Sequence, residues 1–280
     1  MTAQTLDGRA LAHELRQELR ASAQDFAAQH GRAAHLALLA VGEDHPALLF
    51  GQQVARACRA VGVAYSVTTC APGVSEAAIR AQVAHASNDP ATDGVVVLLP
   101  LPTGVHQRII TEVLAPMKDV DGLGPRNAGN LMLGFPSFVP GTAEAVLVLL
   151  QHAGISIRGK HAVIVGRSNV GGKPVALQLL RHDATITICH SHTVNLAEVT
   201  RTADILVVSV GRTESITGDM VRPGAVVLDA GINPTPNGIV GDVHAASTRE
   251  VAGWLTPVPG GLGPLTHLMV IRHTLQGPMP

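Results

Sequence analysis

The strongest constraint on the fold is one stretch, Val163-Ile164-Val165-Gly166-Arg167-Ser168-Asn169-Val170-Gly171-Gly172-Lys173-Pro174. An apolar run ends in a glycine turn, and Val175, Leu177, Leu179 and Leu180 follow at helix-like spacing. The pattern predicts a strand, a phosphate loop and a helix. Bare glycine backbone lets a pyrophosphate approach closely, and the helix N-terminus behind it offers N–H groups and the positive end of its dipole. The spacing Gly166-x-Ser168-x-x-Gly171 is that of a dinucleotide loop with serine in place of the second glycine. Taken alone it also fits an ordinary glycine-rich strand–helix turn; the strand before and the helix after favour the nucleotide.

The next strand sharpens this. Ala184 to Ile188 alternates β-branched residues and ends in Cys189-His190-Ser191-His192-Thr193. An NAD site ordinarily places a carboxylate about 20 residues beyond the glycines to hold the ribose 2′-OH. Here hydroxyls and imidazoles stand in that place, with Arg167 in the loop. A 2′-phosphate is held by cations and hydroxyl donors and repelled by a carboxylate, so NADP is expected rather than NAD.

Composition excludes other partners. A formal net charge of -1 and an aromatic content of 2% argue against nucleic acid. No apolar run approaches a membrane span, and Met1 to Leu11 is charged, unlike a signal peptide. Cys58, Cys70 and Cys189 are scattered without C-x-x-C, and the histidines show no ligand spacing, so no metal is expected. For His190 and His192 a surface or cofactor-facing role is favoured over metal. The reading is a reduced, cytoplasmic protein.

Along the chain, residues 6–30 predict an amphipathic helix, and His35–Val41 a strand. A helix begins near Pro46 and runs to about Val61. Val63–Thr69 is a strand, Ser75–Ala86 a helix capped by Ser75, and Gly94–Leu99 a buried strand stopped by Pro100-Leu101-Pro102. Thr103–Leu114 reads as a helix. Residues 115–139 carry Pro, Gly and Asn without periodicity and read as a domain junction. Thr142–His152 is a helix, and Ile205–Val210 and Ala225–Ala230 are later strands. Alternating strands and helices mean parallel βαβ units. The fold class is α/β in two domains, 1–139 and 140–263, with the last helix, 264–277, packing back on the first.

Several motifs now resemble one family, the bifunctional methylenetetrahydrofolate dehydrogenase/methenyltetrahydrofolate cyclohydrolases. They are Val41-Gly42-Glu43-Asp44, Leu99-Pro100-Leu101-Pro102, Lys118-Asp119-Val120-Asp121-Gly122 and Asn127-x-Gly129-x-Leu131. Further on come Gly166-Arg167-Ser168, Cys189-His190-Ser191, Gly231-Ile232-Asn233, Gly241-Asp242-Val243 and Thr256-Pro257-Val258-Pro259-Gly260-Gly261. The resemblance covers nearly the whole chain. It implies an N-terminal folate (catalytic) domain, a C-terminal Rossmann-type NADP domain, a cleft between them and a homodimer. It puts Gly166, Arg167, Ser168, Gly172, Ser191 and Ile232 at the cofactor, and Leu99, Pro100, Pro259, Gly260 and Gly261 at a tetrahydrofolate substrate. It makes Asp121 the carboxylate that holds the pterin. An ionised carboxylate suits two N–H donors on the pterin edge; without the resemblance, Asp121 reads as a turn-capping residue.

The departures fall on the family's catalytic positions. Where the resemblance implies Tyr, Lys and Gln, this chain has Phe50, Val54 and Leu98, and a family Cys is Gly141. No lysine precedes Lys118, so none can substitute on that helix. Hydride removal from an N–CH₂–N carbon is driven by the neighbouring nitrogen and needs mainly positioning. Hydrolysis of the methenyl cation needs a general acid–base group. The expectation is an NADP-dependent dehydrogenase with weak or absent cyclohydrolase. The alternatives are a repurposed enzyme that hands on the one-carbon unit or acts on another N-methylene or amine substrate, and a non-catalytic folate- or NADP-binding partner.

Overall fold

The computed structural model describes residues 2–43, 45–236 and 238–278. Met1 and Asp44, which the sequence reading included, lie outside them. In chain order the elements are β1 (Gln4–Thr5), α1 (Gly8–His30), β2 (His35–Val41), α2 (His45–Val61), β3 (Ala64–Cys70), α3 (Glu76–Asn88) and β4 (Gly94–Val97). Then come α4 (Gln107–Thr111), α5 (Pro125–Leu133), α6 (Gly141–His152), β5 (His161–Val165), α7 (Gly172–Arg181), β6 (Thr185–Cys189), α8 (Leu196–Thr200) and β7 (Ile205–Val208). A 3₁₀ turn at Gly218–Met220 precedes β8 (Val226–Asp229), β9 (Asn233–Thr235), β10 (Gly238–Val240), α9 (Ala245–Arg249), β11 (Trp254–Leu255) and α10 (Gly263–Gln276). The chain forms two compact units, residues 13–141 with 267–280, and residues 1–12 with 142–266.

The first unit is built on a parallel sheet in the order β3-β2-β4. The central strand β2 is apolar along its length because both its faces are covered: Leu36 to Val41 are all buried. Ala37, Leu39 and Val41 pack with Ile79 and Val83 of α3 and Val95 and Val97 of β4. Ser75 caps α3, its side chain accepting the Ala78 N–H at 3.3 Å. The C-terminal part of α10 packs in this unit: the His273 ring donates from Nδ1 to the Val120 carbonyl at 2.8 Å. Burial pushes that imidazole down to about 4, so it stays neutral.

Two expectations fail here. The helix expected over 103–114 is only Gln107–Thr111. Gly104 turns the chain at φ +89°, and the Glu76 carboxylate accepts the His106 N–H at 2.7 Å, so the helix starts late. The segment 115–139, read as a patternless junction, contains α5, and the chain leaves the unit at 141/142 instead. Proline and glycine were read there as breakers, whereas Pro125 opens the helix in its first turn and Gly134 closes it in the left-handed region at φ +79°.

The second unit is a six-stranded sheet in the order β1-β11-β8-β7-β5-β6, parallel throughout, with β9 and β10 as an antiparallel hairpin. Val163, Val165, Leu206, Val208 and Val227 form its core. Residues 2–12 belong to this unit and not, as the sequence reading placed them, to the first. Gln4 and Thr5 pair with Trp254 and Leu255. Gly8 sits so close to the chain that a Cβ there would lie 1.7 Å from the Gly261 carbonyl oxygen. A two-residue strand carries too little periodicity to be seen in sequence. Among the described residues no helix is long and apolar enough to cross a membrane, and the three cysteines are free and buried.

Candidate active site

Four parallel strands of the second unit end side by side, and the sequence-predicted cofactor residues stand at their carboxyl ends. Gly166 to Ser168 follow β5, Ser191 follows β6 and Ile232 follows β8. Ligands of open α/β sheets bind at this edge. The loop after β5 is closed by contacts that admit only glycine. A Cβ on Gly166, at φ +131°, would lie 2.2 Å from the Ser209 carbonyl oxygen, and one on Gly172 would lie 2.0 Å from that of Gly166. The Ser168 side chain accepts the Gly171 N–H at 3.0 Å and its carbonyl accepts the Lys173 N–H at 3.1 Å. Ser168, standing where the loop pattern has its second glycine, thus does structural work at the start of α7.

Arg167, Ser168 and Ser191 are exposed, and Ile232 is 63% exposed, an apolar platform open to a ligand. The rings of His190 and His192 meet edge-on at 6.0 Å, and His190 Nδ1 accepts the His192 N–H at 3.1 Å. The bare cradle and the helix start behind it fit a pyrophosphate, and the exposed cation and hydroxyls beside it fit a phosphate monoester.

Two buried carboxylates brace this edge, and sequence reasoning had not singled them out. Asp242 accepts the N–H groups of Val210, Gly211 and Arg212 at 2.6, 2.9 and 2.9 Å and the Asn233 amide at 2.8 Å, pinning the loop after β7. Asp229 accepts from Gly231, Asp242 and Val243. Burial pushes its carboxyl up to about 6 against the pull of those bonds. The signal was present in Gly231-Ile232-Asn233 and Gly241-Asp242-Val243, whose glycines make room: Cβ atoms at 231 and 241 would collide with these same carboxylates.

In the first unit, a parallel bridge pairs Asp119 with Val95, so Asp121 stands level with the end of β4. The two aspartates have different work. Asp119 accepts from Leu123, Gly124 and Asn127 at 3.0, 2.8 and 2.8 Å and organises the entry to α5. Asp121 is 8% exposed and takes one backbone bond, from the Gly141 N–H at 3.0 Å at the start of α6. Burial is the main force pushing its carboxyl up to about 7; Gly141 opposes it and Asp119 adds to it. One bond uses one of a carboxylate's about four acceptor positions, so Asp121 keeps capacity for a ligand.

Leu98 lies just past β4, still held to the sheet by its N–H to the Leu39 carbonyl at 2.9 Å. It and Val54 are 1% and 0% exposed, while Phe50, one turn before Val54 on α2, is half-buried. Leu99 is partly buried and Pro100 exposed beside them. Lys118 Nζ donates to the Asp89 carbonyl at 2.6 Å. Pro259, Gly260 and Gly261 belong to the second unit, where the Gly261 N–H bonds the Pro257 carbonyl at 2.7 Å.

Residues 6–121 match the family described as tetrahydrofolate dehydrogenase/cyclohydrolase, catalytic domain, and residues 140–278 its NAD(P)-binding domain. The chain belongs to the tetrahydrofolate dehydrogenase/cyclohydrolase family. The bifunctional protein FolD of Herpetosiphon aurantiacus is 44% identical over 277 residues, 99% of this chain and 97% of that protein. The bifunctional enzyme FolD from Campylobacter jejuni has a crystal structure similar to this chain with a TM-score of 0.94 at 35% identity, covering 98% of each. The Trypanosoma brucei dehydrogenase-cyclohydrolase, complexed with NADP and an inhibitor, is similar with a TM-score of 0.93 at 32% identity, covering 98% of this chain and 97% of that one. In family terms the second unit carries most of the NAD(P)-binding domain and the first unit most of the catalytic domain, together with the last residues of the NAD(P)-binding match.

Proposed function

We propose that this chain oxidises 5,10-methylenetetrahydrofolate to the 5,10-methenyl cation with NADP, and that its cyclohydrolase activity is weak or absent. One observation carries the second half. Val54, at the position where the resemblance implies the family's lysine, is fully buried. The only lysine between residues 13 and 141 is Lys118, and its ammonium is bonded to the Asp89 carbonyl.

Gly166–Gly172 would hold the pyrophosphate of NADP, Arg167 and Ser191 would hold its 2′-phosphate, and the bound cofactor would supply the hydride acceptor. The chain's own residues bind and orient. Asp121, when ionised, accepts two N–H bonds from the pterin edge, and Phe50 offers a ring face without a hydroxyl. Leu99, Pro100, Pro259, Gly260 and Gly261 are the remaining substrate contacts that the family pattern assigns. Oxidation asks these groups for position only. Hydrolysis asks for a proton carrier that Val54 cannot be, and the loss of such a group typically costs on the order of 10²–10⁴ in rate.

A second reading, transfer of the one-carbon unit to a nucleophile other than water, is favoured by the same burial of Val54 and Leu98. Homodimeric assembly and a cytoplasmic location belong to the proposal as well. The test is an assay with methylenetetrahydrofolate and NADP that follows NADPH and the methenyl product separately. Equal rise of both, with methenyl persisting as long as it does in buffer, is the expected result. Rapid loss of methenyl overturns the cyclohydrolase part, and no NADPH at all overturns the dehydrogenase part.

A further inference from the structure

We propose that Gly51 and Leu98 are an interlocked pair that keeps water from the folate one-carbon centre, with Gly51 a specificity-determining residue that acts through Leu98. The inference rests on the folate reading above and extends it to a residue that neither the motifs nor the catalytic positions include.

The pair is visible in the packing. An ideal Cβ at Gly51 would lie 2.6 Å from Leu98 Cδ1, 3.6 Å from Cδ2 and 3.7 Å from Cγ. The leucine thus occupies the space that any other residue at 51 would need. Residue 98 cannot retreat freely: its backbone is bonded to Leu39, and its side chain is 1% exposed. Glycine inside a helix is unfavourable, and Gly51 is the seventh residue of the 17-residue α2. Leu98 supplies the reason for it.

Gly51 lies on one face of α2 with Ala47 and Ala55, four residues away on either side, both buried. At the middle of this small-residue row, Gly51 meets Leu98, the residue just past β4. Val54 is three residues on from Gly51, and Phe50 is its neighbour. Phe50 and Val54 thus stand on the same stretch of α2 that meets Leu98 at Gly51. A water able to attack a bound methenyl carbon needs about two to four polar partners to be held there. The side chains of 50, 51, 54 and 98 offer none. The methenyl cation formed by loss of hydride leaves without gaining the elements of water. Once released it hydrolyses at its rate in buffer, unless a separate hydrolase or a nitrogen nucleophile takes the one-carbon unit first.

The experiment places the full-length protein in excess over 5,10-methenyltetrahydrofolate and follows decay of its absorbance, with the bound fraction measured by ultrafiltration. Wild type should slow the decay several-fold relative to buffer. Leu98→Ala should lose that protection, because the vacated volume admits water. Gly51→Ala/Leu98→Ala should regain it, because the new methyl refills the space of Leu98 Cδ1; a merely structural role for Gly51 predicts no such rescue. Thermal melts establish that each variant is folded. Equal protection by Leu98→Ala and wild type, or no rescue in the double variant, overturns the pair alone. Accelerated decay with wild type overturns the cyclohydrolase-poor reading, and absent binding overturns the folate reading; either removes the pair with it.

Discussion

The Gly166–Gly172 loop and the Phe50–Leu98 floor are both tightly closed, and by different atoms. In the loop, glycine faces backbone: the would-be Cβ atoms of Gly166 and Gly172 meet carbonyl oxygens at 2.2 and 2.0 Å. In the floor, Gly51 faces the end of a side chain, Leu98 Cδ1 at 2.6 Å. A backbone contact can be kept only by keeping the glycine. A side-chain contact can be exchanged in pairs. The cofactor loop is therefore bound to its residue types, whereas the substrate floor can be remodelled without disturbing the sheet that carries it. Fold and activity separate along that line.

The largest effect that would break this contrast is on hydrolysis. Methenyl hydrolysis by this chain should lie about 10²–10⁴ below that of a relative carrying Tyr, Lys and Gln. Val54→Lys alone should not restore it, because an ammonium at a fully buried position without a partner costs stability or loses its proton. The triple variant Phe50→Tyr/Val54→Lys/Leu98→Gln should recover part of it. Recovery by Val54→Lys alone, in the methenyl decay assay, would show that the floor is not interlocked.

Next is the backbone side of the comparison. Gly172→Ala should destabilise the protein by about 3 kcal/mol or more and abolish measurable cofactor binding, since a carbonyl cannot move aside. Gly51→Ala should cost about 1–3 kcal/mol, the range for overpacking against a side chain that can partly shift. Denaturant melts of the two variants decide whether backbone and side-chain closure differ as argued. Within the loop, Arg167→Ala should raise the KM for NADP about 10–100-fold, the loss of a charged hydrogen bond of roughly 1.5–3 kcal/mol, and leave the KM for NAD nearly unchanged. Equal effects on both cofactors would remove Arg167 from the 2′-phosphate.

Much of the loop could be read before any coordinates, because glycine spacing, an apolar strand and a helix pattern are local signals. The same holds for β2, predicted and found at His35–Val41. Elements fixed by distant partners were not legible. The strand Gln4–Thr5 exists only through its pairing with Trp254 and Leu255, and α5 begins where Asp119 gathers the N–H groups of Leu123 and Gly124. The substitutions at 50, 54 and 98 were plain against the family pattern, but Gly51 was not. A lone glycine in a helical run looks like a weak point until the leucine filling its space is seen.

The last effect is at Asp121, which stands level with the end of β4. Its folded carboxyl titrates near 7, above the ordinary carboxylate range, with burial the principal cause. The folded state holds this proton longer than the unfolded chain. Its contribution to stability is therefore full below the ordinary carboxylate range and is lost as pH rises through about 7. Asp121→Asn removes that loss. The variant should melt at about the same temperature as wild type near pH 4 and above it at pH 8, by roughly 2–4 °C for each kcal/mol recovered. Folate affinity should move the other way, absent in the variant and rising in wild type as Asp121 ionises between about pH 6 and 8. A destabilised Asp121→Asn at pH 8 would mean that the carboxylate holds the start of α6 in place and is not kept under strain for a ligand.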